Sequence, residues 1–348
     1  MLIADLDFAL CESPARHGPP VRSLLVHLVT DTGVEGWGES TAIWRPGELT
    51  ARRDIVLPLL ADRNVFDLEE LLLLDVLASP ALRSAVEMAC WDAIGRRLNQ
   101  PLFRLWGGLY RPRIPVAARL PLDTAEGAAR FARELAEQGF RHWIITASGQ
   151  PSLDASVFQA VREAIGPVAP MRFDGARRYA LDTAQVICER LQPWGVQAAI
   201  DVLTANDFVR LQELEQLTSV PLAVCGLIRG ASDVAALARM SRMPQGVLDL
   251  DLIGGLTSAR KCVATAEAVG ASLSLAAGNS LGIAAAAQLH LAAATPSLAS
   301  AHEFSAPFLQ QDLLVEQLAA VDGCLRVPQS PGLGIEVDRE KLERFAMT

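Results

Sequence analysis

Lysine is almost missing from this chain. Of the 31 basic residues among 348, only Lys261 and Lys341 are lysines and the other 29 are arginines, so any lysine-based chemistry is confined to two positions. Paired cysteines are missing too. Cys11, Cys90, Cys188, Cys225, Cys262 and Cys324 show no Cys-x-x-Cys spacing and each has apolar neighbours, so they read as small buried hydrophobes rather than disulfides or zinc ligands. There is no basic stripe, and the net charge is −9, which argues against a nucleic-acid partner. The longest apolar run, "LGIAAAAQLHLAAAT" (281–295), is interrupted by Gln288 and His290 and is too short to span a bilayer. The opening "MLIADLDFAL" has acids where a secretory signal needs a basic stretch. We expect a cytoplasmic protein with no membrane and no nucleic-acid partner.

What is present is a globular composition, 51% apolar and 20% charged, with ample length for a core. From residue 116 onward short apolar or β-branched runs recur at an even interval: 116–120, 142–147, 170–174, 197–202, 221–225, 246–251, 272–276 and 300–304. Helical patterns with caps lie between them. "TAEGAARFARELAEQG" opens on Thr124 and stops at Gly139, "NDFVRLQELEQLT" opens on Asn206, and "GASDVAALARMSRMP" ends at Pro244. Eight such units are what a closed (β/α)₈ TIM-type barrel requires; an open doubly wound sheet is the alternative, and the count and even period favour the barrel.

Residues 1–115 differ. "VRSLLVHLVTDTGVEGWGES" reads as a β-hairpin turning at Asp31–Gly33, and "SPALRSAVEMACWDAIGRRLNQPLFRLWGG" as one amphipathic helix stopping at Asn99–Pro101. The expected organisation is an N-terminal α+β domain (1–115), a barrel (116–321), and a Pro/Gly-rich, strand-like tail (322–348) that returns to the first domain.

Six stretches, "GVEGWGES" (33–40), "AVEMACWDAIGRRLNQPLFRLWGG" (85–108), "VREAIG" (161–166), "IGGLTSARK" (253–261), "LHLAAATP" (289–296) and "VPQSPGLGIEVD" (327–338), jointly resemble the mandelate racemase / muconate lactonizing enzyme branch of the enolase superfamily. The resemblance covers nearly the whole chain. It implies an enolase-like fold, with the N-terminal domain capping the barrel mouth. It also implies a divalent metal, usually Mg²⁺, on three acidic ligands, a small carboxylate-bearing substrate, and bases that remove the proton alpha to that carboxylate.

Carried over position by position, the resemblance assigns Asp174 and Asp201 as metal ligands, and it leaves Cys225 and Gly226 where the third ligand belongs. The strand-two Lys-x-Lys falls on Ile144 and Thr146, of which Thr146 remains a substrate contact. Asp249 occupies the strand-six place and Glu303 the strand-eight place, which makes them the catalytic candidates; the strand-seven segment "SLSLAAGNS" offers no His. Arg16 and His17, on the polar loop 11–23 that in the family closes over substrate, are further candidates for substrate binding. His142, His290 and His302 read as packed residues. Gly254–Gly255 before Thr257 and Ser258 is either a phosphate cradle or a tight strand-to-helix turn.

Four inward acids would repel one another, so a bound cation, a protonated acid or an arginine such as Arg177 or Arg178 must offset them. Two functions stay open. One is a family enzyme (racemase, epimerase, dehydratase or cycloisomerase) with unusual acid–base residues; the other is a barrel repurposed as a small-molecule binder or assembly partner. The resemblance further implies a homo-oligomer.

Overall fold

The computed structural model describes every residue except 122, 206, 243, 278 and 348. Strands β1 (Ile3–Ser13), β2 (Val21–Thr30) and β3 (Glu35–Thr41) form an antiparallel sheet in the order β1-β2-β3. The expected turn joins β2 to β3, with Gly33 at positive φ. Helices α1 (Leu49–Leu60), α2 (Leu68–Leu71), α3 (Pro80–Arg97) and α4 (Leu102–Leu105) follow. The stop at Asn99–Pro101 is where α3 gives way to the separate short α4. Asn99 takes a left-handed φ of 51°, and Pro101 prevents the helix from continuing. The "GVEGWGES" motif has a packing reason. A Cβ on Gly36 or Gly38 would run into the Ala89 or Ala85 carbonyl of α3, so only glycine lets β3 lie this close to α3.

Strand β4 (Arg113–Pro115) leads into the barrel: β5 (Ala117–Leu120), α5 (Ala125–Glu137), β6 (His142–Thr146), α6 (Pro151–Ile165), β7 (Met171–Asp174), α7 (Leu181–Leu191), β8 (Ala198–Ile200), α8 (Phe208–Leu217), β9 (Leu222–Val224), α9 (Ala231–Leu237), β10 (Gln245–Asp249), α10 (Leu250–Ile253), α11 (Leu256–Val269), β11 (Leu273–Ala277), α12 (Gly282–Ala294) and β12 (Glu303–Phe304). All eight expected strands form. They are parallel and in sequential order, and the seam between β12 and β5 closes through Ala117 N–H to His302 O (2.8 Å) and a parallel bridge from Val116 to His302. The fold is an α/β TIM-type barrel with an N-terminal strand-rich cap. Among the described residues no helix is long and apolar enough to cross a membrane.

Thr124 caps α5 by accepting from Gly127 N–H at 3.1 Å. The cap expected at Asn206 lies outside the described residues; Asp207 caps α8 by accepting from Arg210 N–H. Helix α9 ends at Leu237, well short of Pro244. The buried Glu215 carboxylate accepts from the Ser241 and Arg242 amides and draws that stretch out of the helix. Among the described residues of the tail only β13 (Cys324–Arg326) is a strand, paired with β4; Asp338 caps a helix, α13 (Arg339–Phe345), where the sequence reads as strand-like. The tail reaches the first sheet through Met347 N–H to Leu10 O (2.8 Å).

Buried carboxylates fix the cap over the strand ends. Glu39 of β3 accepts from Ser23 (2.7 Å), from Ala284 N–H (2.8 Å) and from Leu281 N–H at the start of α12. Glu87 of α3 accepts from Thr257 N–H (2.7 Å) and from the Thr257 hydroxyl at the start of α11. Asp92 binds Trp37 N–H (3.0 Å), Leu333 N–H (2.8 Å) and Arg96 (3.0 Å), joining sheet, helix and tail. A helix N-terminus suits an anion, but burial without a cation still favours the protonated acid, and Glu39 is pushed up from 4.5 to about 7.

A raised carboxyl pKa means that Glu39 contributes stability below pH 4.5 that is lost as pH rises through about 7. We predict that the melting temperature falls between pH 5 and pH 8 and that Glu39→Gln flattens this slope. Calorimetric melts of both proteins would check it, and an unchanged slope would contradict it.

Candidate active site

The strands end in a shared mouth beneath the cap, and the inward positions of successive strands meet there. The centre is Arg119, on the first barrel strand. Its Nε and Nη2 donate to the two oxygens of Glu303 at 2.5 and 2.8 Å, and its Nη1 donates to Asp174 at 2.7 Å and to the Thr146 hydroxyl at 2.5 Å. A planar guanidinium matches the Glu303 carboxylate as a fork. Burial works against the charged arginine, but Glu303 and Asp174 more than offset it and hold its pKa above the ordinary value.

The other acids are held by backbone. Asp174 turns its second oxygen to the Ala176 amide (2.9 Å). Asp201 sits at φ 42° and accepts from the Cys225 and Gly226 amides at 2.9 and 2.8 Å. Its pKa is raised chiefly by burial, with those two amides opposing. Asp249 caps α10 by accepting from Asp251 N–H at 2.9 Å. Burial, reinforced by Asp251, lifts it from 3.8 to about 6. Cys225 lies in the field of all four acids. Burial, then Asp249, Asp201, Glu303 and Asp174, keep its thiol protonated well above the ordinary range.

Two joined chambers open on this centre. The main one, about 520 Å³, is lined by Arg119, Thr146, Asp174, Asp201, Asp249 and Glu303, with Ser40, Thr41 and Met88 of the cap above. A side chamber of about 450 Å³ shares Arg119, Thr146, Asn279 and Glu303 and is otherwise walled by Phe131, Phe304, Phe308 and the loop from Ala15 to Val21. A larger cavity of about 1060 Å³ runs along the tail from Val315 to Glu336 and includes none of these residues.

The structure thus brings Asp174, Asp201, Asp249, Glu303 and Thr146 together. The arginine ion-paired with these acids is Arg119; Arg177 lines the same chamber and its charge acts on Asp201 without an ion pair, while Arg178 does not line it. Both Arg177 and Arg178 are exposed, and Arg178 donates to the Ser148 carbonyl at 3.2 Å. His17 packs at a tilt against Phe131 (centroids 4.3 Å apart, planes 60° apart) in the wall of the side chamber. Arg16 gives its Nε to the Leu309 carbonyl at 3.1 Å and lines a separate cavity of about 190 Å³. His290 and His302 are packed. Each accepts a backbone N–H, from Phe103 and Leu275, and burial pulls their pKa values to about 4 and about 3. Gly254–Gly255 makes a tight turn whose following helix start is occupied by the Glu87 carboxylate, so no phosphate cradle forms there.

Residues 127–341 match the model of the enolase C-terminal domain-like family, and residues 20–107 match that of the mandelate racemase / muconate lactonizing enzyme N-terminal domain. The chain belongs to the mandelate racemase / muconate lactonizing enzyme branch of the enolase superfamily. It is 28% identical to muconate cycloisomerase 1 of Rhodococcus opacus over 92% of this chain and 90% of that one. It is 26% identical to o-succinylbenzoate synthase of Geobacillus kaustophilus over 92% and 88%. The muconate lactonizing enzyme of Pseudomonas putida superposes over 100% of both chains with a TM-score of 0.91 at 25% identity.

Mg²⁺ is used generally in this branch, but the donor set here does not fit it. A hard cation needs several free oxygens around one point. Here one Asp174 oxygen is held by Arg119 and the other by Ala176 N–H. Both Asp201 oxygens are held by amides, and Cys225 and Gly226 offer no carboxylate. Among the described residues no group of three or more His, Cys, Asp or Glu is arranged to hold a metal ion.

Arg119 carries no sequence motif, and motif matching passes over it. The available signal was strand parity, since Arg119 pairs with Ile144 and so shares the inward face of Ile144 and Thr146. Removing it leaves Glu303 and Asp174 facing each other without a cation. About a third of the side chain is exposed, so we predict that Arg119→Met costs about 2–3 kcal/mol, less than breaking a fully buried pair. Adding Glu303→Gln should restore about 1 kcal/mol or more. Denaturant melts of the double-mutant cycle would measure this, and strict additivity would contradict it.

Proposed function

We propose that this chain is a metal-independent member of its family, a barrel that takes a small molecule beneath its cap and does not perform metal-assisted removal of a proton alpha to a carboxylate. The observation that carries this reading is Arg119. Its fork to Glu303 and its bond to Asp174 supply a fixed positive charge at the centre of the acids. An enediolate, once formed, needs a cation free to bind its oxygens, and this guanidinium already spends Nε, Nη1 and Nη2 on protein groups.

The sequence supports the same conclusion. Ile144 and Thr146 cannot take a proton at neutral pH, and the strand-seven segment carries no histidine. Asp249 lines the mouth and burial lifts it to about 6, which makes it the carboxyl we assign to any proton exchange there. The cap, the two chambers and the family membership support retention of a ligand site.

Calorimetric titration of chelator-stripped protein with Mg²⁺ and Mn²⁺ tests the reading. We expect no saturable binding up to about 1 mM, a range in which a functional site would show heat. Saturable one-site binding that disappears in Asp174→Asn would overturn it and restore the family mechanism.

A further inference from the structure

The chambers also bear on what the ligand is. We infer that the barrel mouth binds a compact organic cation, an ammonium or guanidinium head carrying an apolar group about the size of an aromatic ring. This rests on the metal-independent reading, because a bound divalent ion would reverse the charge of the chamber.

The charge is the first ground. Five carboxylates line the main chamber (Asp174, Asp201, Asp249, Asp251 and Glu303) against three arginines. Two of those arginines, Arg177 and Arg229, are exposed and make no salt bridge among the described residues, although the charge of Arg177 acts on Asp201, and the third, Arg119, is held by Glu303 and Asp174. Asp249 is held by backbone amides alone and has no basic partner among the described residues. An incoming carboxylate would meet like charge here, whereas a cation would relieve it.

Gln288 is the second, independent ground. It stands in the alanine-rich α12, is only 2% exposed, and lines the main chamber. Its Nε2 donates to the Ala276 carbonyl at 3.2 Å, while its Oε1 is buried with no partner. A buried acceptor without a donor is costly and rare in a native protein. An ammonium carries several N–H donors, so one ligand head in the chamber that both residues line can serve the Asp249 carboxylate and the Gln288 oxygen. The apolar group follows from the side chamber, where Phe131, Phe304, Phe308 and Leu309 enclose a space that opens on the same Arg119 and Glu303.

The test is calorimetric titration of the chelator-stripped full chain with 2-phenylethylammonium, alongside phenylacetate and 2-phenylethanol as anionic and neutral counterparts. We expect the cation to bind at least about tenfold more tightly than either counterpart, the worth of one well-placed charge pair. Asp249→Asn should weaken the cation by a similar factor and leave the alcohol unchanged, while Phe131→Ala should weaken all three. If Asp249→Asn does not fold, Gln288→Leu serves in its place, with melting temperature as the control for folding. Phenylacetate binding as tightly as the cation, cation binding unmoved by these variants, or no cation binding up to about 10 mM (where even weak sites give heat) would each overturn the inference. Mg²⁺ binding in the parallel titration would instead overturn the metal-independent reading, so the two failures are distinguishable.

Discussion

The Arg119–Glu303–Asp174 ion cluster is the interaction on which the site depends. Four carboxylates project from different strands into one mouth, and such an arrangement is stable only if something positive stands among them. Here that charge belongs to the chain. Because a guanidinium is planar and multiply donating, it fixes two carboxylates and a hydroxyl at once. The geometry of the mouth is therefore set by the chain's own side chains and does not wait for an ion to arrive. Asp201 and Asp249, further from the arginine, are stabilised by backbone amides instead.

The cap is tied down by the same kind of device, a carboxylate bound to the first turn of a barrel helix. Glu39 reaches α12, Glu87 reaches α11, and Asp251 of the barrel accepts from Thr41 N–H at 2.7 Å in the opposite direction. Thr41, Asp251 and Ala284 line the main chamber, so two of these three contacts also help form its roof. The glycines of β3 serve the same end, since they let α3 lie directly on the sheet. Packing between domains and the shape of the site are one structural problem in this protein.

Much of this could be read in the sequence. The even interval of the strands, the turn at Gly33, the cap at Thr124 and the helix stop at Asn99–Pro101 all follow local rules of backbone preference and burial, and the structure has them. The set Asp174, Asp201, Asp249 and Glu303 was legible through the family resemblance, with alternation along the strand adding that Asp174 faces the mouth. The partner of those acids was not. Strand parity turns Arg119 inward, but nothing local names its partner; only the closure of β5 against β12 brings it to Glu303, 184 positions away. The unpartnered oxygen of Gln288 and the elevated Glu39 are likewise products of tertiary burial. The early end of α9 has the same origin, in Glu215, a residue distant in the chain.

The family frame and the particular residues therefore point in different directions, and the residues bear on chemistry more directly than the fold does. The most direct measurement is an anomalous-difference map from crystals grown with excess Mn²⁺. Metal independence predicts no peak at the barrel mouth and clear density for the Arg119 guanidinium between Glu303 and Asp174. A Mn²⁺ peak between Asp174 and Asp201, with Arg119 turned away, would contradict it.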